Sequence, residues 1–201
     1  MQLIKLRMVI VHLSFAQKRN LGKKFGLAIA KSQCSRKYQS GSFSQKKFST
    51  QQQVAPMITK RFLKDDAFSE AMYSECGKYR YYLSREWDVT KKRAHFIMLN
   101  PSTATEYQND PTVERCERRA RSLGYGAFAV TNIFAWRETN PRKMEKVSDP
   151  IGPQNDSIIL KTCKNSNINI AAWGTHGSHR ARGAAVEEIF IKTKLRIFSL
   201  G

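Results

Sequence analysis

Short apolar segments alternate with amphipathic segments from Tyr79 to the end of the chain. The apolar runs are bounded by turn-forming residues and carry few charges, which is typical of strands buried on both faces of a sheet. One of them stops at Asn100-Pro101, because proline cannot continue strand pairing. The predicted strands are Tyr79–Trp87, Ala94–Leu99, Ala127–Thr131, Ile168–Trp173 and Leu195–Leu200.

Amphipathic segments connect most of these strands. The first begins with Asp110, a residue type that caps helices, and with Pro111, which suits the first helical position. Gly124 is suited to end that helix. Two more helices are predicted over Pro153–Lys164 and Ala181–Lys194. The alternation predicts an α/β domain, a three-layer sandwich with a mostly parallel central sheet.

The charge is distributed unevenly along the chain. Residues 1 to 64 contain 14 Lys or Arg and no Asp or Glu, whereas the remainder holds 21 basic and 16 acidic residues. We therefore divide the chain into a basic extension, residues 1–55, and one α/β domain, residues 56–201, and we expect the extension to add no strand. Its Ser- and Gln-rich composition fits a mitochondrial or plastid transit peptide. A disordered tail, a wrong start codon and a nucleic-acid-binding arm are the alternatives; without targeting, the protein is expected in the cytoplasm.

Several classes of protein do not fit this sequence. It has no run of about 18 apolar residues, so no integral membrane association is predicted. The four cysteines are too scattered for a disulfide scaffold or a structural zinc site. No dinucleotide fingerprint, phosphate-binding P-loop or nucleophile elbow is present. We therefore expect neither a cofactor nor a metal.

The loops after three buried strands are the candidate functional segments, because ligands of parallel α/β sheets bind beyond the carboxyl ends of the strands. In the first loop, Asn100 is a candidate catalytic residue that orients a water. Pro101, Ser102 and Thr103 follow it as candidate substrate-binding residues, since hydroxyl and backbone N–H groups bind phosphate. The alternative is an ordinary turn.

The second loop combines an amide with aromatic residues. Asn132 has the donor and acceptor needed to pair with a base edge, and Phe134 and Trp136 offer stacking surfaces, followed by Arg137. The alternative is that Asn132 bonds neighbouring backbone and the aromatic residues belong to the core.

The third loop brings the remaining candidates. His176 is a candidate acid or base, and Trp173 and Gly174 are candidate binding residues. A solvated loop is the alternative for His176. Further basic residues near these loops are candidates for holding phosphates: Arg115, Arg119, Arg142, Arg180 and Arg182.

A series of ordered motifs over residues 78 to 201 resembles the uncharacterised family called domain of unknown function 1643, which is found mainly in bacteria and phages. The name of that family implies no activity. The motifs that carry the resemblance are Arg80–Leu83, Phe96–Ala104, Asp110–Thr112, Gly124–Gly126, Thr131–Arg137, Gly152–Asp156 and Ala171–Gly174.

The order of Asn100-Pro101-Ser102 after one strand and Thr131-Asn132-Ile133 after the next also resembles the uracil-DNA glycosylase superfamily. That resemblance implies a similar fold, with Asn100 positioning the attacking water and Asn132 contacting the base. Both families continue into a His-Pro or similar loop after the last strand. This chain ends at Leu200-Gly201, so we expect a C-terminal truncation.

Two functions follow from these patterns. The first is hydrolysis of an N-glycosidic bond in DNA, RNA or a nucleotide. The alternative is a non-catalytic module that binds a nucleotide or nucleic acid, including an inactive truncated paralogue.

Overall fold

The apolar runs assemble into one mixed sheet that is covered by helices on both faces. The computed structural model describes residues 6–8 and 56–200. The strands are β1 (Leu6–Met8), β2 (Met57–Lys64), β3 (Ala67–Ser74), β4 (Arg80–Glu86), β5 (Arg93–Met98), β6 (Ala127–Asn132), β7 (Ile168–Ala172) and β8 (Phe198–Leu200). The helices are α1 (Pro111–Ser122), α2 (Pro141–Met144), α3 (Asn155–Lys164) and α4 (Arg182–Thr193), and a 3₁₀ segment covers Thr175–Ala181.

The strands lie in the order β1-β8-β7-β5-β6-β4-β3-β2. The pairings among β8, β7, β5 and β6 are parallel, and the other four are antiparallel. The expectation of a mostly parallel sheet is therefore wrong: parallel pairing is confined to the central strands and β8. Four of the seven pairings are antiparallel, and one of them belongs to the hairpin β2–β3, which the sequence patterns did not predict. Its strands are joined only by Asp65 and Asp66, and so short a connection requires antiparallel strands.

Alternating side chains of β5 supply the two hydrophobic layers. Phe96 and Met98 pack with Val113 and Ala120 of α1 on one face. Ile97 packs on the other face, against α3 and α4. Successive side chains of a strand point to opposite faces, so one strand contributes to both layers. Helices cover both faces of the sheet, which confirms the three-layer α/β arrangement.

Helix α1 begins as the sequence predicts. The Asp110 carboxylate accepts hydrogen bonds from the backbone N–H groups of Thr112 and Val113, at 3.0 and 2.9 Å. Gly124 follows the helix with a φ of 78°, a left-handed conformation that suits glycine. No helix within residues 6–8 and 56–200 has the length and apolar character needed to cross a membrane.

A buried histidine links three central strands through polar contacts. His95 of β5 lies between Asn169 of β7 and Thr131 of β6, with its Nδ1 2.9 Å from Asn169 Oδ1 and its Nε2 2.8 Å from Thr131 Oγ1. Burial lowers the pKa of His95 to about 4. The ring is therefore neutral at pH 7 and fixes the relative positions of the three strands.

The extension contributes a short strand. Residues Leu6–Met8 pair antiparallel with Phe198–Leu200, so the expectation that the extension adds no strand is wrong for these residues. They present backbone hydrogen-bonding groups to the open edge of β8, and pairing of that edge satisfies those groups. The remainder of the extension lies outside the described residues, and its assignment as a transit peptide or a tail stays a prediction.

Candidate functional site

The loops after β5, β6 and β7 begin at the same edge of the sheet. Met98, the last residue of β5, is in register with Asn132 at the end of β6 and with Ala172 at the end of β7. This arrangement confirms the expected common edge, since carboxyl ends of parallel strands coincide. Strand β5 lies between β6 and β7, so its loop has a neighbouring loop on each side.

Two buried arginines of β4 hold the loop that follows β5. Arg80 Nη1 donates to the carbonyl of Ala104 at 2.5 Å, and Arg85 Nη2 donates to the carbonyl of Thr105 at 2.6 Å. Burial lowers the pKa of Arg80 to about 10, so its guanidinium still carries a charge at pH 7. Hydrogen bonds from a charged donor are stronger than neutral ones. The middle of the loop is thus fixed to the sheet.

Asn100 ties this loop to the loop after β6. Its Nδ2 donates to the carbonyls of Glu138 and Pro101, at 2.5 and 3.2 Å, and the N–H of Glu138 donates to the Pro101 carbonyl at 2.9 Å. Within the described part of the chain, Asn100 Oδ1 makes no hydrogen bond. One end of the amide is therefore structural, whereas the other is available as an acceptor.

The two joined loops and the turn before β4 line a wide surface depression of about 580 Å³, which we call the cleft. Its walls carry hydroxyl groups, two cations, two aromatic rings and one carboxylate. The lining residues are Gly77, Lys78, Ser102, Thr103, Thr105, Tyr107, Trp136, Arg137, Glu138 and Thr139. Four residues that the sequence analysis selected from different loops meet here: Ser102, Thr103, Trp136 and Arg137.

The cations of the cleft are held beside its tryptophan. Lys78 Nζ lies 5.8 Å from the centroid of the Trp136 ring. Tyr79 packs edge-on against the same ring with centroids 5.3 Å apart. The Arg137 backbone N–H donates to the Lys78 carbonyl at 2.9 Å, and its Nη1 lies 3.3 Å from the Gly77 carbonyl. The turn before β4 thereby sets the position of both cations.

Asn132 and Phe134 do not line the cleft, contrary to the sequence interpretation. Both are buried, and Phe134 packs with Ile97 and the helices of that face. The reason is that strand-like pairing continues past β6: Ile133 and Phe134 donate backbone hydrogen bonds to the carbonyls of Met98 and Leu99. Only from Trp136 onward does the chain reach the cleft.

The third loop does not contribute to the cleft either. Trp173 packs into the hydrophobic layer of α3 and α4, where Gly177 leaves room for its indole ring. His176 is exposed and its Nδ1 lies 3.4 Å from Glu145 Oε1, just after α2. Neither of them nor Gly174 lines the cleft, so His176 is not positioned to act there. The loop follows β7, on the side of β5 opposite to β6.

The additional arginines are likewise placed elsewhere. Arg180 donates to the carbonyls of Ser148 and Val147. Arg182 is buried, and it donates to the Ile133 carbonyl and to Asp156. Arg115 and Arg119 are on the exposed side of α1, and Arg142 is exposed in α2.

Sequence reasoning missed Lys78, Thr105 and Tyr107. Lys78 belongs to the turn between β3 and β4, and its contact with the second loop depends on an isolated bridge between Tyr79 and Trp136. No local sequence pattern predicts such a bridge. Tyr107 lies inside the loop that was predicted, but an exposed aromatic residue in a loop carries no signal of its own.

A family comparison adds to this geometry. A family model described as "Protein of unknown function (DUF1643)" matches residues 80–201, more than half of the chain. The chain belongs to the DUF1643 family. The matched region includes the loops after β5 and β6, whereas Gly77, Lys78 and the β2–β3 hairpin precede it. Neither a curated protein nor a solved structure matches the chain.

Proposed function

We propose that this DUF1643 protein binds a nucleotide, or a nucleotide of a nucleic-acid chain, in the cleft. The observation that carries the proposal is the combination of an aromatic ring, two cations and several hydroxyl groups on its walls. Aromatic side chains stack on bases without regard to sequence. Lysine, arginine and hydroxyl groups bind phosphate and sugar.

Each part of the cleft has a role in this proposal. Trp136 offers its ring to a base, and its edge-on contact with Tyr79 fixes the ring before the ligand arrives. Lys78 binds the phosphate, and Ser102 and Thr103 bind the sugar or the phosphate oxygens, while Arg137 lies where the cleft meets a neighbouring pocket. Hydrogen bonds from the buried Arg80 and Arg85 hold one wall in place, and a preorganised site loses less entropy on binding.

Hydrolysis of an N-glycosidic bond is the second candidate function. It is favoured by Asn100, which does not itself line the cleft but begins the loop that does. Its Nδ2 is anchored by two carbonyls, and its Oδ1 makes no hydrogen bond within the described residues. An amide oxygen fixed in this way can orient an attacking water. The sequence Asn100-Pro101-Ser102 directly after a central parallel strand supports a fold like that of the uracil-DNA glycosylase superfamily.

Titration of the full chain with nucleoside monophosphates, followed by calorimetry, tests binding. We expect Lys78→Ala to weaken binding at least fivefold, because an ammonium group of the cleft is lost. Lys161→Ala removes the same charge from the exposed side of α3 and is expected to bind like the parent. Equal binding by both variants, or no binding by the parent, contradicts the proposal.

Release of free base from oligonucleotides with modified bases tests hydrolysis separately. Asn100→Ala is expected to abolish release; because it also removes the hydrogen bonds of Nδ2 to the Glu138 and Pro101 carbonyls, nucleotide binding by the variant is measured in the same titration. If the parent releases no base, the second candidate fails and the binding proposal is unaffected.

A further inference from the structure

A second, smaller pocket adjoins the cleft. It has a volume of about 340 Å³ and shares Gly77, Thr105, Tyr107 and Arg137 with the cleft. We call it the adjoining pocket. Binding sites for small molecules usually have volumes of about 300 to 1,000 Å³, so a base has room here. The remaining lining residues are Ile58, Lys60, Tyr73, Ser74, Glu75, Cys76 and Glu106.

Glu106 brings a fixed carboxylate to the adjoining pocket. Its residue is only 8% exposed. Its Oε2 accepts a hydrogen bond from the Tyr73 hydroxyl at 2.8 Å, and its backbone carbonyl accepts one from Ser69. Burial raises the pKa of Tyr73 to about 12, so that hydroxyl remains a donor at pH 7. These contacts hold the carboxyl group in one place.

The other oxygen of Glu106 is free to accept a hydrogen bond. Within the described part of the chain, Glu106 Oε1 makes none, and it is not among the enclosed side-chain atoms without a partner. It is therefore not fully enclosed, and Glu106 is one of the residues that line the adjoining pocket. A carboxylate held in one place favours ligands that donate hydrogen bonds to it over ligands that present acceptors.

Arg137 faces the same pocket with the opposite hydrogen-bonding character. Its guanidinium carbon lies 5.3 Å from the centroid of the Tyr73 ring, and Tyr73 also donates to Glu106. An arginine offers only donors, and an ionised carboxylate offers only acceptors. The pocket thus presents acceptors and donors from two neighbouring side chains.

We infer that the base stacked on Trp136 extends its hydrogen-bonding edge into the adjoining pocket and that this pocket selects guanine, an inference that rests on the proposed binding of nucleotides in the cleft. Guanine has two adjacent donors, N1–H and the exocyclic amino group, which match the carboxylate of Glu106. It also has two acceptors, O6 and N7, to which arginine commonly donates. Adenine and cytosine each place an acceptor next to their amino group, and that acceptor is repelled by the carboxylate.

The decisive comparison uses GMP and IMP, which differ only in the exocyclic amino group. Both are titrated into the full chain by calorimetry, with AMP and UMP as further probes. We expect GMP to bind about tenfold more tightly than IMP, because one hydrogen bond to a charged acceptor is lost. We expect AMP and UMP to bind no better than IMP.

Glu106→Gln tests whether this residue is responsible. Glutamine can still accept the hydrogen bond from Tyr73, but it places an amino group where Oε1 stood. We expect the ratio of GMP to IMP affinity to fall to about one, because the amino group of GMP loses its acceptor; IMP is also expected to bind more weakly, because its N1–H loses a charged acceptor. Glu188→Gln, a change on the exposed side of α4, serves as the control and is expected to keep the parent's ratio.

The outcomes separate the two proposals. If the parent binds all four nucleotides equally, the guanine inference is wrong and the nucleotide proposal stands. A preference for GMP that persists in Glu106→Gln also overturns the assignment of Glu106. If the parent binds none of them, the proposed function fails and the inference fails with it. The ratio of GMP to IMP affinity in the parent tests the guanine preference even if Glu106→Gln does not fold.

Discussion

The buried His95 makes the stability of the fold depend on pH. Asn169 Nδ2 points toward the carbonyls of Cys163 and Arg196, at 3.4 and 3.3 Å, which leaves its Oδ1 to accept from the His95 Nδ1–H. The His95 Nε2 then accepts from the Thr131 hydroxyl. The neutral ring satisfies both neighbours, and burial opposes its protonation.

The contribution of His95 to the free energy of unfolding follows from the difference between its pKa in the folded chain and in the unfolded chain. The pKa of His95 falls from 6.5 to about 4 on folding. Between these values the unfolded chain binds a proton that the folded chain does not, so the free energy of unfolding decreases as the pH falls. At about 1.4 kcal/mol for each pH unit, the loss between pH 7 and pH 4 is about 3 kcal/mol.

Chemical unfolding of the parent and of His95→Gln at several pH values measures this contribution. Carboxylates titrate in both proteins, so the difference between their pH dependences isolates His95. We expect the variant to be less stable at pH 7 but to lose about 3 kcal/mol less than the parent between pH 7 and pH 4. His176→Gln, at an exposed histidine, is expected to follow the parent. Identical pH dependences for the parent and His95→Gln would refute the reasoning.

Three further predictions concern the packing and the thiols. Arg85→Met removes the hydrogen bond to Thr105 and three others, so we expect the free energy of unfolding to fall by about 3 kcal/mol; an unchanged denaturation midpoint would contradict this. Gly177→Ala places a Cβ 2.3 Å from Trp173 Cδ1, and we expect a lower melting temperature and altered tryptophan fluorescence; unchanged values would show that the loop adapts. Cys76 is exposed, and a hydrogen bond with Ser74 lowers its pKa, whereas burial raises the pKa of the cysteines of α1 and α3 to about 12. Mass spectrometry after brief alkylation should find Cys76 modified before those two, and the reverse order would contradict the described packing.

The part of the fold that local patterns determine was predictable. The central strands and helices α1, α3 and α4 agree with the sequence to within a few residues, because buried runs and caps such as Asp110 are local signals. The hairpin β2–β3 was missed. Its first strand is exposed over all but its last residue, and its apolar and polar residues come in blocks, Met57-Ile58 and Phe62-Leu63 among polar and charged residues, so they do not show the alternation typical of a strand with one buried face. Its place in the sheet therefore depends on pairing with β3 and not on burial.

The candidate site was predictable only in part, for a geometric reason. Strand β5 lies between β6 and β7, so strand order alone would let its loop meet either neighbouring loop. The contact with the loop of Trp136 depends on hydrogen bonds between Asn100, Pro101 and Glu138, and no local sequence pattern predicts such long-range contacts. The backbone pairing that continues to Phe134 could not be predicted either. The apolar residues around Phe134 are compatible both with a hydrophobic core and with a stacking surface.

The most direct test of the nucleotide-binding proposal is to locate a bound nucleotide on the chain. Photo-crosslinking of the full chain with an 8-azido guanosine monophosphate, followed by peptide mapping, reports which residues the base contacts. The account predicts labelled peptides from the loops 100–110 and 133–140, reduced by an excess of GMP and by Lys78→Ala. Labelling confined to the loop after β7 or to the exposed arginines of α1 would contradict it.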